Sequence, residues 1–150
     1  MNTPIKLGEG SLTMCDIKDF RDTLQSHHTV VSLCRFPPHW IDSDKNERHH
    51  YYFRAHNDDP KIWSHAVGIV MDAIAEGKDV LLHCVHGRDR TGGVAYAVLR
   101  LHGYEHDQAH LAMVDARPSQ EAAWAIKIPY RRPLYEKIVE EYLNQQRGRR

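Results

Sequence analysis

Val80–Gly93, VLLHCVHGRDRTGG, is the stretch from which the fold can be read. An apolar run of strand length leads to Cys84, a polar arc of Val85, His86, Gly87, Arg88 and Asp89 follows, and Arg90, Thr91, Gly92 and Gly93 lead into an apolar-periodic segment. The pattern predicts a buried strand ending near His83, an arc whose backbone amides wrap an anion, and a helix starting at Thr91. Strand, thiol, anion cradle and helix N-terminus then meet at one point.

Loop amides, a helix N-terminus and an arginine are surroundings that favour thiolate over thiol, and Cys84 has all three in prospect. Arg90 can fold back across the arc so that its planar fork takes two oxygens of a bound phosphoryl group while the sulfur faces phosphorus. Gly87 lets the arc turn inward without a Cβ, and Gly92 and Gly93 allow a close approach of the first helical turn. Thr91 is placed to hydrogen-bond the sulfur and make it a better leaving group.

HCVHGRDRTG resembles the H-C-x5-R-[ST] signature of the cysteine-dependent protein tyrosine phosphatases, and the flanking sequence looks most like their small dual-specificity branch. The resemblance implies a phosphate-binding loop formed by Val85, His86, Gly87, Arg88, Asp89 and Arg90, with Cys84 as nucleophile. It implies that His83 bonds backbone near the loop and orients the thiol. His86 departs from the small residue common at its place and either lines the mouth of the site or is solvated.

Expelling an alkoxide or phenoxide from phosphorus requires a proton donor, worth about 10²–10⁴ in rate. The family carries its acid aspartate after a strand, and YYFRAHNDDP (Tyr51–Pro60) offers Asp58, with Asp59 as rival acid or as N-cap of a helix that has Pro60 in its first position. Asp89, inside the loop, is a third candidate, because some lipid and bacterial phosphatases place an aspartate there. In the resembled family an Arg-Pro pair follows the helices behind the catalytic loop, a place that Arg117-Pro118 fits, and the resemblance makes Gln120 a candidate for positioning water, against an exposed role at a helix start.

The 150 residues suit one domain, 1–150, with residues 1–10 as an N-terminal extension and 147–150 as a frayed basic tail. Twenty basic residues balance twenty acidic ones, which argues against binding nucleic acid or membrane through bulk charge. Three cysteines, Cys15, Cys34 and Cys84, form no C-x-x-C pair, so neither a disulfide framework nor a zinc knuckle is indicated. No basic-then-apolar leader or spanning apolar run is present, and a reducing cytoplasm is the expected location. Twelve histidines raise the question of a metal. His49 and His50 are adjacent, and the spacing of His102, His106 and His110 could place them on one helical face, but no H-E-x-x-H or carboxylate-flanked set occurs; no metal or other cofactor is expected.

Outside the central segment, Leu12–Cys15 reads as a short strand, Asp16 as the cap of a helix reaching about Gln25, and Thr29–Cys34 as a buried parallel strand. Arg35–Arg48 is a polar loop. Helices are expected over Pro60–Glu76 with Gly77 as stop, over Thr91–His102 closed by Gly103, and over Glu105–Ala116. Pro118 interrupts, Ser119 caps a short helix, and Pro133–Gln146 forms a terminal one. The alternation implies an α/β fold, a mostly parallel sheet of about four to five strands flanked by helices, and the resemblance makes it protein tyrosine phosphatase-like.

The expected activity is hydrolysis of phosphotyrosine, with phosphoserine or phosphothreonine as extras, in protein substrates by a monomer without membrane insertion. Phosphatases of RNA 5′ ends or of phosphoinositides use the same loop, and a phosphate-binding module without turnover is the alternative from another class.

Overall fold

The run that precedes Cys84 becomes the middle strand of a sheet in the computed structural model, which describes residues 2–25, 28–34, 50–53 and 58–148. The elements are β1 (Ile5–Leu7), β2 (Gly10–Cys15), α1 (Phe20–Thr23), β3 (His28–Ser32), β4 (His50–Tyr52), α2 (Pro60–Ala75), β5 (Asp79–His83), α3 (Asp89–Leu101), α4 (His106–Ala116) and α5 (Glu121–Arg147), with a 3₁₀ turn at Pro118–Gln120. The strand order is β1-β2-β5-β3-β4; β1 runs antiparallel to β2 and the other pairings are parallel. This is the expected mostly parallel α/β sheet, with five strands among the described residues.

Side chains alternate between the two faces of the sheet, as the period of a strand requires. Leu12 and Met14, Val31 and Leu33, and Val80 and Leu82 point to the large core, where Trp63, Tyr96, Trp124 and Tyr135 are fully buried. Cys15, Val30 and Leu81 point the other way, onto Phe20 of α1. Burial of each large apolar side chain stabilises the fold by about 2 kcal/mol. Because β5 is flanked on both sides, the loop that leaves its C-terminal end emerges at the middle of the sheet, where α/β folds build their sites.

Several expectations are corrected. Within the N-terminal extension, Ile5–Leu7 adds a strand, pairing Ile5 with Leu12 and covering the edge of β2. Asp16 does not start a helix to Gln25: its Oδ1 accepts from the Asp19 amide at 2.8 Å, closing a turn before the four-residue α1. α3 begins at Asp89 rather than Thr91, which draws the end of the arc into the helix. Glu105 precedes α4, its amide bonded to Gln108 Oε1 at 2.8 Å.

The largest correction is α5, a single helix of 27 residues running through Pro129 and Pro133. Ser119 caps nothing, and no separate helix begins at Pro133. Trp124, Ile128, Tyr135 and Ile138 are buried along one stripe, whereas Pro129 and Pro133 face solvent. The carbonyls that lose a partner to the proline rings are therefore on the wet side, where water can bond them. The Arg35–Arg48 loop, His49, Arg54–Asn57 and the end of the basic tail lie outside the described residues.

Candidate active site

Cys84 follows β5 directly and is 2% exposed, and its sulfur accepts a hydrogen bond from the Gly87 amide at 3.2 Å. Four consecutive carbonyls of the arc are bonded to donors outside it. Val85 O accepts from the Ile17 amide at 3.1 Å, His86 O and Gly87 O accept from Arg117 Nη1 at 3.2 and 2.6 Å, and Arg88 O accepts from Trp124 Nε1 at 3.2 Å. In a trans peptide the N–H points opposite to the C=O. With carbonyls tied outward, the amides of His86, Gly87, Arg88 and Asp89 turn to the inside of the arc, as the Gly87–sulfur bond illustrates.

Arg117 is 2% exposed and also pairs with Asp16 Oδ2 through Nη2 at 3.4 Å, so Arg117 braces the loop from behind, a role its place after the helices does not by itself reveal. Gly87 adopts φ +65°, and a Cβ there would come within 2.6 Å of both Arg117 Nη1 and Cys15 O. Only glycine meets both constraints.

The remaining loop side chains divide. Val85 and His86 are exposed. Arg88 Nε donates to Gln120 Oε1 at 2.6 Å, and Gln120 is 6% exposed, which corrects its expected exposed role: it braces the loop through Arg88. Arg90 Nη1 donates to Leu33 O at 3.0 Å, across to the end of β3. Thr91 is buried, and its Oγ1 has no hydrogen-bond partner among the described residues, so the expected bond to the cysteine sulfur is not made here.

His83 is fully buried, its Nε2 against Ser32 Oγ and its Nδ1 3.9 Å from Cys34 Sγ. Burial pushes its pKa down to about 4, against the opposing pull of a hydrogen bond with the Cys84 backbone. The imidazole is therefore neutral at physiological pH and positions the start of the loop without adding charge. Cys15 and Cys34 are buried free thiols whose pKa values burial raises, Cys34 to about 11.

The three candidate aspartates have different surroundings. Asp59 N-caps α2, its Oδ1 accepting from the Lys61 amide at 3.0 Å. Asp89 accepts from Arg131 Nε at 2.9 Å, from Arg131 Nη2 at 3.0 Å and from Tyr135 Oη at 2.8 Å. Asp58 accepts from Arg131 Nη1 at 3.0 Å and Nη2 at 2.6 Å; its side chain is 60% exposed. The Arg131 guanidinium beside Asp58 holds its carboxyl below the usual carboxylate range.

Arg131 was not singled out by the sequence, although a signal existed. It falls on the stripe Trp124, Ile128, Tyr135 and Ile138, where an apolar residue would be expected, and a cation on a core-facing stripe needs a partner. Among the described residues no group of three or more His, Cys, Asp or Glu side chains is placed to hold a metal ion, and no helix is long and apolar enough to cross a membrane.

Solved structures with the same architecture include Tk-PTP in its active form, with a TM-score of 0.61 at 18% identity over 91% of this chain and 95% of that one. Human DUSP28 gives 0.60 at 18% identity over 95% and 99%. The core catalytic domain of the PP-IP phosphatase SIW14 from S. cerevisiae gives 0.59 at 15% identity over 97% and 87%. Identities this low establish the fold, which is protein tyrosine phosphatase-like. No curated protein matches the chain in sequence. The model of the tyrosine phosphatase family matches residues 17–111, more than half of the chain.

Proposed function

This chain belongs to the tyrosine phosphatase family, and we propose that it hydrolyses phosphomonoesters through a phosphocysteine on Cys84, with phosphotyrosine in proteins as its principal substrate and phosphoserine and phosphothreonine as further ones. The observation that carries this is the outward tethering of the Val85, His86, Gly87 and Arg88 carbonyls, which presents a ring of N–H donors around the sulfur. Such a preorganised ring stabilises the equatorial oxygens of a transferring phosphoryl group without reorganisation.

In the first step the Cys84 sulfur attacks phosphorus in line, the bond from phosphorus to the ester oxygen breaks, and an aspartic acid gives its proton to the departing oxygen. Arg90 exchanges the Leu33 carbonyl for two phosphoryl oxygens. Water then attacks the phosphocysteine, the aspartate takes a proton from it, and the sulfur leaves as thiolate. Asp58 is the acid in this account. Asp59 is engaged as a cap, and the Asp89 carboxylate accepts three hydrogen bonds from two side chains, whereas the Asp58 side chain is more exposed than that of Asp89, at 60% against 30%, and is bonded by Arg131.

A reading of RNA 5′ ends or phosphoinositides as substrate draws on Arg88, His86 and Asp89; the Arg88 and Asp89 side chains are engaged by Gln120 and Arg131, while His86 is exposed. The protein-phosphate reading is therefore preferred, and a reducing cytoplasm suits its thiolate. It is tested by phosphate release, with chelator present, from phosphotyrosine, phosphoserine and phosphothreonine peptides, triphosphorylated RNA and phosphoinositides. Efficient release from phosphotyrosine peptide that is lost in Cys84→Ser supports the proposal. Preference for RNA or inositol substrates would replace the substrate class, and phosphopeptide binding without release would make the domain a binding module.

A further inference from the structure

The Arg131 guanidinium makes four hydrogen bonds to two carboxylates from separate parts of the chain, at distances of 2.6 to 3.0 Å. Nε and Nη2 take Asp89, in the first turn of α3; Nη1 and Nη2 take Asp58, just ahead of α2. The Arg131 side chain is 17% exposed and sits on the packed stripe of α5, so its position is fixed by the core. Asp89 is fixed in turn: Tyr135 Oη donates to its Oδ1 at 2.8 Å and to its carbonyl at 3.0 Å, and Tyr135 is fully buried.

The two ends of this bridge are unlike. Asp89 begins the helix whose N-terminus supports the anion cradle. Asp58 is exposed, and the hydrogen bonds to its carboxylate come from Arg131. A bidentate arginine-carboxylate pair fixes direction as well as distance. An aspartate on a connecting segment is thereby referenced to the same helix that carries Arg90.

We propose that Arg131 is a positioning residue for the reaction: anchored on Asp89 and Tyr135, it holds the Asp58 carboxylate in fixed register with the Cys84 loop between proton transfers. This rests on the assignment of Asp58 as the proton donor. Arg131 touches neither the sulfur nor the phosphoryl group in this account and acts through Asp58. The pair must open at one oxygen when Asp58 carries its proton, and it re-forms on the carboxylate that serves as base toward water. The charged groups acting on Asp58 among the described residues are Arg131 and Lys127 from α5, with Asp89 of α3 linked to it through the shared guanidinium; the next residue, Asp59, turns its carboxylate to the Lys61 amide.

The consequence for pH dependence has a definite sign. A general acid must be protonated, so kcat/KM falls as pH rises through its pKa. A cation beside the carboxyl lowers that pKa and places the falling limb at lower pH; removing the cation moves the limb to higher pH. Arg131→Gln should therefore lower kcat by about 10- to 100-fold at pH below the limb, because the donor is no longer aligned. KM for a phosphotyrosine peptide should change little, and the falling limb should shift upward. Arg131→Lys, which keeps the charge but not the fork, should recover part of kcat and leave the limb near its wild-type place.

The experiment measures kcat, KM and the pH profile for wild type, Arg131→Gln, Arg131→Lys and Asp58→Asn, with thermal unfolding to establish that each variant is folded. Loss of the falling limb in Asp58→Asn together with its upward shift in Arg131→Gln supports the proposal. A limb absent in Asp58→Asn but unmoved in Arg131→Gln overturns the positioning role and leaves the acid assignment intact. A limb that persists in Asp58→Asn overturns the acid assignment, and the positioning role with it.

Discussion

Arg117 Nη1 donates to the carbonyl of Gly87 at 2.6 Å, and through that bond a residue between α4 and α5 sets the orientation of peptides beside the cysteine. The same nitrogen reaches His86 O, and Nη2 pairs with Asp16. Truncation to alanine leaves two loop carbonyls and the Asp16 carboxylate without this donor, and the bond to the Gly87 carbonyl is buried. Arg117→Ala should cost about 2–4 kcal/mol in denaturant unfolding and reduce kcat by more than the loss of folded protein explains. Lysine at this position carries charge but lacks the fork, so Arg117→Lys should restore little of the activity.

Gly87→Ala addresses the same bond from the other side. The backbone stands at φ +65°, and the added methyl would press on Arg117 Nη1 and Cys15 O at 2.6 Å. The strained φ alone costs about 1–2 kcal/mol, and relief requires the arc to open. Affinity for an oxyanion such as vanadate should fall by at least about 10-fold, as one displaced charge-assisted hydrogen bond implies. Titration of vanadate inhibition is the check.

Gly93→Ala tests packing behind the loop. Its Cβ would collide with Trp63 and lie 2.8 Å from Tyr135 Cε1, both buried. Overpacking of this kind costs about 1–3 kcal/mol. Because Tyr135 also holds Asp89, activity should fall along with the unfolding midpoint.

His83 predicts a stability change with pH. In the unfolded chain its imidazole takes up a proton below its ordinary value of 6.5, whereas in the fold burial delays this to about 4. Between these values the unfolded state binds more protons, so stability is full above about 6.5 and falls as pH drops toward 4, by about 2–4 kcal/mol. Urea unfolding at pH 7 and at pH 4.5 should show the decline. His83→Gln should be less stable at pH 7 but lose less on acidification; parallel losses in the two proteins would assign the decline to other groups.

Local signals carried much of this fold. The run before Cys84, the stripe of α2 with its Pro60 start, and the glycine stops lie within short windows, and each element appears close to its expected bounds. The discrepancies have non-local causes. Ile5–Leu7 is too short to read as a strand until the edge of β2 is available to pair with it. The two prolines of α5 argue for a break, and only the face on which they fall, exposed while Trp124 and Tyr135 are buried, shows why the helix continues. Cys84 and Arg90 stand out by spacing, but the roles of Arg117, Gln120 and Arg131 depend on partners 30 or more residues away.

The most direct test of the account is whether phosphate passes through Cys84. Wild-type protein is mixed with radiolabelled phosphotyrosine peptide, quenched within one turnover, and the label is located by mass spectrometry. The account predicts a transient phosphorylated peptide containing Cys84, formed at the rate of peptide dephosphorylation and absent in Cys84→Ser. Dephosphorylation that continues in Cys84→Ser, or label found on a different side chain, would contradict it.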